Sequence, residues 1–270
     1  MIKICVTVRN RLEITKKCIE AISKHTEQPF QIHLYDNLTS HHLKDHVDYY
    51  LKMFRYDIIT KFVMNSAAST FDCFSKVCAF NEFGRDHEQD PDKYNIDLLV
   101  LLDNDMIVTP GWDAAAVSVI KELDKHKNIH IVTQCPGGVS DRKETIKVGN
   151  FDCDVGVHGG SGLWILKPTF FRDIGFLDCS LVQGINKKHD QNYWRQIEKV
   201  THGKKYSLAI HHIMALHTGS IYSGSVCNVL TKDKLDLKNI RFEEENKKIK
   251  DMTFYDFYNE IKDNPRCQNW

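Results

Sequence analysis

The sequence predicts an α/β fold, a mostly parallel sheet flanked by helices, and three features carry that expectation. Segments with apolar residues at every second position alternate with segments that repeat every three to four residues through the first half of the chain. Leu98 to Leu102 is an unbroken apolar run, as expected of a strand covered on both faces. The strand-like segments end abruptly in polar clusters, Asp36-Asn37 and Asp103-Asn104-Asp105. In sheets of this kind ligands bind beyond the carboxyl ends of the strands, which directs attention to those clusters.

Taken in order, Ile2, Ile4, Val6 and Val8 alternate as in a strand. Asn10 then offers an N-cap before Ile14, Cys18, Ile19 and Ile22 at helical spacing. Phe30, Ile32 and Leu34 form a second strand running into the Asp36-Asn37 turn, and a third is expected near Ile58 to Met64. Phe71, Phe74, Val77 and Cys78 give a second helix, followed by a polar stretch from Arg85 to Asn95 that reads as an exposed loop. After the Leu98 strand come a helix through Ala115, Ala116, Val119, Ile120 and Leu123 and a strand from Ile129 to Thr133. Beyond residue 135 the pattern turns irregular and glycine-rich, with a short strand Leu163 to Leu166 and a helix from about Asp190 to Val200. Charge is dense from Lys232 to Lys250; then Phe254, Phe257, Tyr258 and Ile261 line one helical face, read as docking on the body rather than on a partner or membrane surface. The expected organisation is a domain over 1–230, with halves 1–105 and 106–230, and a charged helical extension over 231–270.

Composition narrows the function. Thirty-six Lys and Arg balance thirty-six Asp and Glu, so a surface that holds polyanions by bulk charge is not expected. The nine cysteines are scattered, odd in number and without a C-x-x-C pair, which argues against a disulfide framework or zinc ribbon. The opening MIKICVTVRNR has no apolar run suited to a signal peptide or membrane span, so a cytoplasmic location is expected. No G-x-S-x-G, H-E-x-x-H or dinucleotide G-x-G-x-x-G fingerprint occurs.

Two carboxylates one residue apart, where a buried strand breaks into a loop, can point the same way and chelate a hard divalent cation. Asp103 and Asp105 meet that description, although the same residues can simply cap the next helix. Asp36 ends an earlier strand on the same rim, where a carboxylate can hold a ribose or base, or only shape a turn. Gly159-Gly160-Ser161-Gly162 allows close approach to a ligand or marks a plain turn, and Trp164 and Trp194 can stack on a sugar or fill the core.

Together ICVTVRNR, LYDNLTS and LLVLLDNDMIVTPGW resemble, in order and spacing, the GT-A glycosyltransferases, especially the broad family 2 type that uses nucleotide-diphosphate sugars. By that resemblance Thr7 and Arg9 touch the nucleotide, Asp36 holds the uracil or ribose, and Asp103 with Asp105 forms the DxD motif that binds Mn²⁺ or Mg²⁺ on the diphosphate. The likeness continues through GGSGLWILKPTFFRDIGFLD and reaches KKHDQNYW, where Asp190 matches the catalytic base of the inverting enzymes. His189 stands where the family usually has Glu. Farther on, ALHTG is similar to the segment whose His completes the metal site, which implies His217, ahead of His211 and His212. The likeness spans roughly residues 2 to 220.

These implications suit the chemistry. A divalent ion stabilises negative charge on a departing diphosphate, and a His among carboxylates favours Mn²⁺ over Ca²⁺. Asp190 can take the proton of an acceptor hydroxyl, or cap its own helix. The expected activity is therefore metal-dependent transfer of a sugar from a nucleotide donor, most simply a UDP-sugar, to an acceptor hydroxyl with inversion. The acceptor is left open among a glycan, a lipid-linked sugar, a protein side chain or a modified nucleic-acid base. Two other readings stand beside it: a sugar-phosphate nucleotidyltransferase, whose Gly-rich basic N-terminal loop is missing here, and a noncatalytic nucleotide- or sugar-binding module.

Overall fold

The computed structural model describes residues 1–8, 10–36, 42–64, 72–90, 92–125, 129–134, 144–156, 162–176, 178, 189–202, 207–218 and 243–268; for 72–75, 124 and 189–194 it describes the backbone alone. The strands are β1 (Ile2–Val8), β2 (Phe30–Asp36), β3 (Lys61–Met64), β4 (Leu98–Asp103), β5 (Met106–Val108), β6 (Ile131–Gln134), β7 (Glu144–Val148), β8 (Phe151–Gly156), β9 (Leu163–Leu166), β10 (Ser207–Ile210) and β11 (Ala215–His217). The helices are α1 (Leu12–His25), α2 (Leu43–Arg55), α3 (Asp72–Gln89), α4 (Trp112–Glu122), α5 (Phe170–Ile174), α6 (His189–Val200), α7 (243–250) and α8 (Phe254–Lys262), with a last turn at Pro265–Gln268.

Among the described residues the main sheet runs β3-β2-β1-β4-β9-β6-β10-β8-β7. β3, β2, β1 and β4 are parallel, β9 lies antiparallel between β4 and β6, and β10 is parallel to β6. The mostly parallel sheet flanked by helices is thus what the alternating pattern predicts. β1 and the apolar run of β4 are buried because helices cover both faces. Ile2, Ile4, Val6, Leu98, Val100 and Leu102 face one core with α1, α4 and α8, while Cys5, Leu99 and Leu101 face a second with α3 and α5.

Several boundaries differ from the sequence reading for identifiable reasons. Asn10 does not cap α1; it takes the left-handed conformation that Asn tolerates, Arg11 holds the N-cap position, and the helix starts without a side-chain cap. The stretch from Arg85 was expected to be a loop, yet α3 continues to Gln89. Phe83 and His87 lie on its buried face, and the His87 ring hydrogen-bonds the Pro168 carbonyl at 2.8 Å, so the exposed polar residues between them are one side of a helix. α2 was not anticipated although Leu43, Val47, Tyr50, Leu51 and Phe54 recur at helical spacing; it buries only His46 and Tyr50 and leaves Leu43 and Phe54 exposed. The third strand begins at Lys61 instead of Ile58.

The C-terminal helical face does dock on the body. Phe254, Phe257 and Ile261 are buried in the α1-side core, and the His25 ring meets Phe254 and Tyr258 edge-on with centroids 5.5 and 5.1 Å away. Lys17 of α1 donates to the Met252 carbonyl between α7 and α8.

α3 and α5 touch at Gly84, where a Cβ would fall 2.5 to 2.7 Å from three ring atoms of buried Phe171. Alanine is the better helix former by about 1 kcal/mol, but crowding a filled core costs about 1–3 kcal/mol. With three ring atoms of a buried side chain within 2.7 Å the upper part of that range applies, and Gly84→Ala should lower unfolding stability by about 1–2 kcal/mol, read by urea denaturation. A variant as stable as the wild type would contradict this close approach.

Candidate active site at the carboxyl end of the sheet

Strand register gathers the polar residues. Thr7 pairs with Asp103 across β1 and β4, and Val8 pairs with Asp36 across β1 and β2, so the three strand ends share one rim. Thr7 Oγ1 donates to Asp103 Oδ1 at 2.9 Å, and Lys76 of α3 sits over the same carboxylate, 2.6 Å from Oδ1 and 2.7 Å from Oδ2. The turn that follows is fastened by its middle residue: the Asn104 N–H donates to the Thr7 carbonyl at 3.1 Å and its side-chain amide to Thr15 Oγ1 at 2.9 Å.

A second, two-stranded ladder brings in the distant residues. β5 and β11 are antiparallel, with Met106 opposite His217, and Thr218 donates its N–H and hydroxyl to the Asp105 carbonyl at 2.9 and 3.0 Å. The imidazole thereby reaches the second carboxylate, His217 Nε2 lying 3.3 Å from Asp105 Oδ2. Arg11, at the start of α1, donates from Nη1 to the same oxygen at 2.7 Å. Its Nε and Nη2 both donate at 2.9 Å to the carboxylate of Glu245, which comes from α7.

Exposure separates the parts of this cluster. Glu245 is 0% and Arg11 7% exposed, whereas Asp103, His217 and Asp105 retain 28%, 21% and 16%. Solvent therefore reaches the Asp103, Asp105 and His217 edge, and the Arg11–Glu245 pair lies behind it.

The electrostatics follow from crowding. Burial pushes the Asp105 carboxyl up, but His217 and Arg11 outweigh it and hold the group well below the usual carboxylate range. Burial pushes His217 down, and the adjacent Asp105, with Asp103 behind it, more than restores it, so the imidazolium persists to higher pH than in a free histidine. For Glu245 burial wins over Arg11, and its carboxyl is raised.

The residues expected from the sequence divide as follows. Thr7 and Asp103 are in contact, and Asp105 and His217 are in contact. Among the described residues no trio of His, Cys, Asp or Glu closes around a metal position unaided. Asp36 sits on the rim, but its carboxylate is fully buried, accepting from the Tyr50 hydroxyl at 2.7 Å with His46 Nδ1 3.6 Å away. Arg9 lies outside the described residues, as do Trp194's side chain and Gly159 to Ser161. Asp190 occupies the first turn of α6, its side chain outside the described residues; α6 is held to the body by buried Ile197. His211 pairs with Asp154 at 3.1 Å and His212 stacks near Phe151, so neither belongs to this cluster, and Trp164 is core, packed near Phe80.

Sequence reasoning missed Lys76, Arg11, Thr218 and Glu245. The R-N-R segment after β1 carried a usable signal for Arg11, since a cation beside a buried strand end answers a nearby carboxylate. Glu245 carried none, being one acid in a charge-dense stretch.

No protein-family model matches the sequence, and no curated protein matches it significantly. Solved structures do resemble the fold. The mannosyltransferase PcManGT of Pyrobaculum calidifontis, in complex with GDP-Man and Mn²⁺, superposes with a TM-score of 0.57 at 10% identity over 93% of this chain and 65% of its own. GalNAc-T7, with UDP, GalNAc and Mn²⁺, gives 0.54 at 14% identity over 97% of this chain and 57% of its own. S. aureus TarS gives 0.50 at 12% identity over 91% and 43%. The chain thus spans under two thirds of the length of these enzymes. With a parallel β3-β2-β1-β4 half-sheet, a D-x-D turn ending β4 and this set of neighbours, its architecture is that of the GT-A nucleotide-sugar glycosyltransferases.

Proposed function

We propose that this chain is a metal-dependent glycosyltransferase moving a sugar from a nucleotide-diphosphate donor, a UDP-sugar, to an acceptor hydroxyl with inversion. One observation carries the reading: the β5–β11 ladder sets His217 3.3 Å from Asp105 at the solvent-reached rim of a GT-A sheet, two residues beyond Asp103. A nucleotidyltransferase or a mere binding module gives no account of that long-range placement. The Mn²⁺ in the complexes of PcManGT and GalNAc-T7, and the nucleotide sugar or nucleotide beside it, support the same assignment.

The donor set fits a divalent cation. Carboxylate oxygens and an imidazole nitrogen suit Mn²⁺, and the three carboxylates Asp103, Asp105 and Glu245 exceed the two cations Lys76 and Arg11 by one charge. Asp103, Asp105 and His217 would hold the ion, with the donor's phosphates completing its shell. When bound, it supplies Lewis-acid stabilisation of the charge on the leaving diphosphate.

The chain's own residues do the rest. Thr7 and Lys76 fix both oxygens of Asp103 so that it meets the donor in one orientation. Thr218 and Asn104 lock the turn backbone, so Asp105 cannot swing away from His217. Arg9 is assigned to the nucleotide with Thr7, and Asp36 to the base or ribose, which requires a donor contact on the side of its carboxylate away from Tyr50. Asp190, on the first turn of α6, is the proposed base that removes the acceptor hydroxyl proton during in-line attack.

Asp105→Asn should abolish the thermal shift produced by Mn²⁺ with UDP and cut donor hydrolysis at least ~100-fold. Retained Mn²⁺ affinity in a folded variant would overturn the metal assignment; GDP-sugars in the same hydrolysis screen test the donor nucleotide. Asp190→Asn should lower transfer by about 10²–10⁴-fold while UDP and Mn²⁺ bind as in the wild type; a smaller loss places the base elsewhere.

The pH dependence has a defined sign. His217 binds a metal only when neutral, and Asp105 holds its pKa above the ordinary 6.5. Mn²⁺ affinity should therefore rise from pH 6 to pH 8 by about tenfold, measured calorimetrically, and His217→Gln should flatten the profile.

A further inference from the structure

Arg11 is held on two sides, and the side facing away from the solvent-reached rim belongs to the C-terminal segment. Glu245, fully buried on α7, accepts from Nε and Nη2, the side-on pair of donors with which a guanidinium grips a carboxylate best. Asp105 receives a single N–H, from Nη1, on Oδ2. Oδ2 is also the oxygen that His217 approaches. Among the described residues both contacts thus fall on one oxygen of a carboxylate that solvent still reaches.

We infer that Glu245 is a positioning residue for the metal site: by gripping Arg11 side-on it holds the guanidinium where Asp105 meets a single N–H, and so leaves the rest of that carboxylate to the cation. The inference rests on the metal reading of the proposed function. Its physical basis is orientation. A guanidinium has a second, end-on fork formed by Nη1 and Nη2, and the side-on grip of Glu245 fixes its plane so that Nη1 alone meets Asp105 instead of that fork closing on both oxygens. Glu245 also offsets the charge of Arg11, which otherwise repels an incoming divalent ion.

The placement of α7 agrees with such a role. Asn246, the next residue, accepts from the Glu13 N–H at 3.2 Å in the first turn of α1, so α7 grips the backbone that carries Arg11 as well as its side chain. Ile249 anchors the helix in the α1-side core. A segment more than two hundred residues away in sequence therefore sets the geometry at the end of β1.

The test is Mn²⁺ affinity in the presence of UDP, measured on full-length protein by calorimetry and by the paramagnetic resonance of free Mn²⁺. Glu245→Gln keeps one acceptor for Arg11 but breaks the side-on grip, and should weaken Mn²⁺ about tenfold, as expected for partners that orient metal ligands. Glu245→Asp keeps the charge but shortens the reach, and should weaken it similarly; it carries the test if Glu245→Gln does not fold. The decisive variant is the double replacement Arg11→Gln with Glu245→Gln. It removes the competitor and restores the charge excess, so Mn²⁺ affinity should return to within about threefold of wild type. Lys248→Met, on the same helix but paired with Glu260 at the surface, should change nothing. Affinity unchanged in folded Glu245→Gln and Glu245→Asp, or a double variant no better than Glu245→Gln, would overturn the inference alone. No Mn²⁺ binding by the wild type would overturn the metal reading and this inference with it.

Discussion

A buried guanidinium between two carboxylates is the interaction on which the rest of this molecule depends. Moving a carboxylate out of water costs several kcal/mol per ion, and an uncompensated one at the end of a buried strand would protonate or unfold its surroundings. Asp105 and Glu245 escape that outcome through Arg11, which bonds both. Because Arg11 sits at the first turn of α1, the same contacts tie the first helix, the D-x-D turn and the C-terminal helix 243–250 into one unit. Lys76 plays the corresponding part for Asp103 from the other face of the sheet. Two cations, one from each helical layer, are thus buried against the carboxylates of the rim.

Register converts that electrostatic arrangement into geometry. Parallel pairing of β1 with β2 and β4 sets Thr7 beside Asp103 and places Asp36 one position further, beside Val8 and on the opposite face; a slip of one residue would exchange those faces. The short β5–β11 ladder adds a residue from late in the chain, which no local rule can do. Both cores depend on the same alternation, so the placement of the site is enforced by nearly all the apolar burial in β1 and β4.

How much of this the sequence shows depends on whether a residue's partner is near it in the chain. The Leu98–Leu102 strand and the carboxylates that end it are legible because burial and its termination are both local signals. His217 is legible only through likeness to a known motif, since the β11 register that delivers it is not written in three residues. Lys76 and Glu245 are illegible: each reads as an ordinary exposed charge on a helix until the tertiary fold buries it. The same limit explains why the polar side of α3 looked like a loop; α2, by contrast, carries a helical repeat of Leu43, Val47, Tyr50, Leu51 and Phe54 that was there to be read. β10 escapes for a related reason, since its partners β6 and β8 lie more than fifty residues away in the chain.

Charge balance gives the rim a preference that geometry alone does not. With His217 neutral, the five fixed charges of Asp103, Asp105, Glu245, Lys76 and Arg11 leave one negative charge in excess, so a nucleotide diphosphate approaching the bare rim is repelled. A divalent cation reverses that sign. At an effective dielectric constant near 20, a unit charge about 4 Å away contributes roughly 4 kcal/mol, enough to turn weak repulsion into firm attraction. On the proposed reading, therefore, cation and diphosphate bind as a coupled pair, each supplying the other's missing counter-charge. Lys76 and Arg11 cannot stand in for the ion, because their charges are already engaged with the carboxylates that make the rim possible.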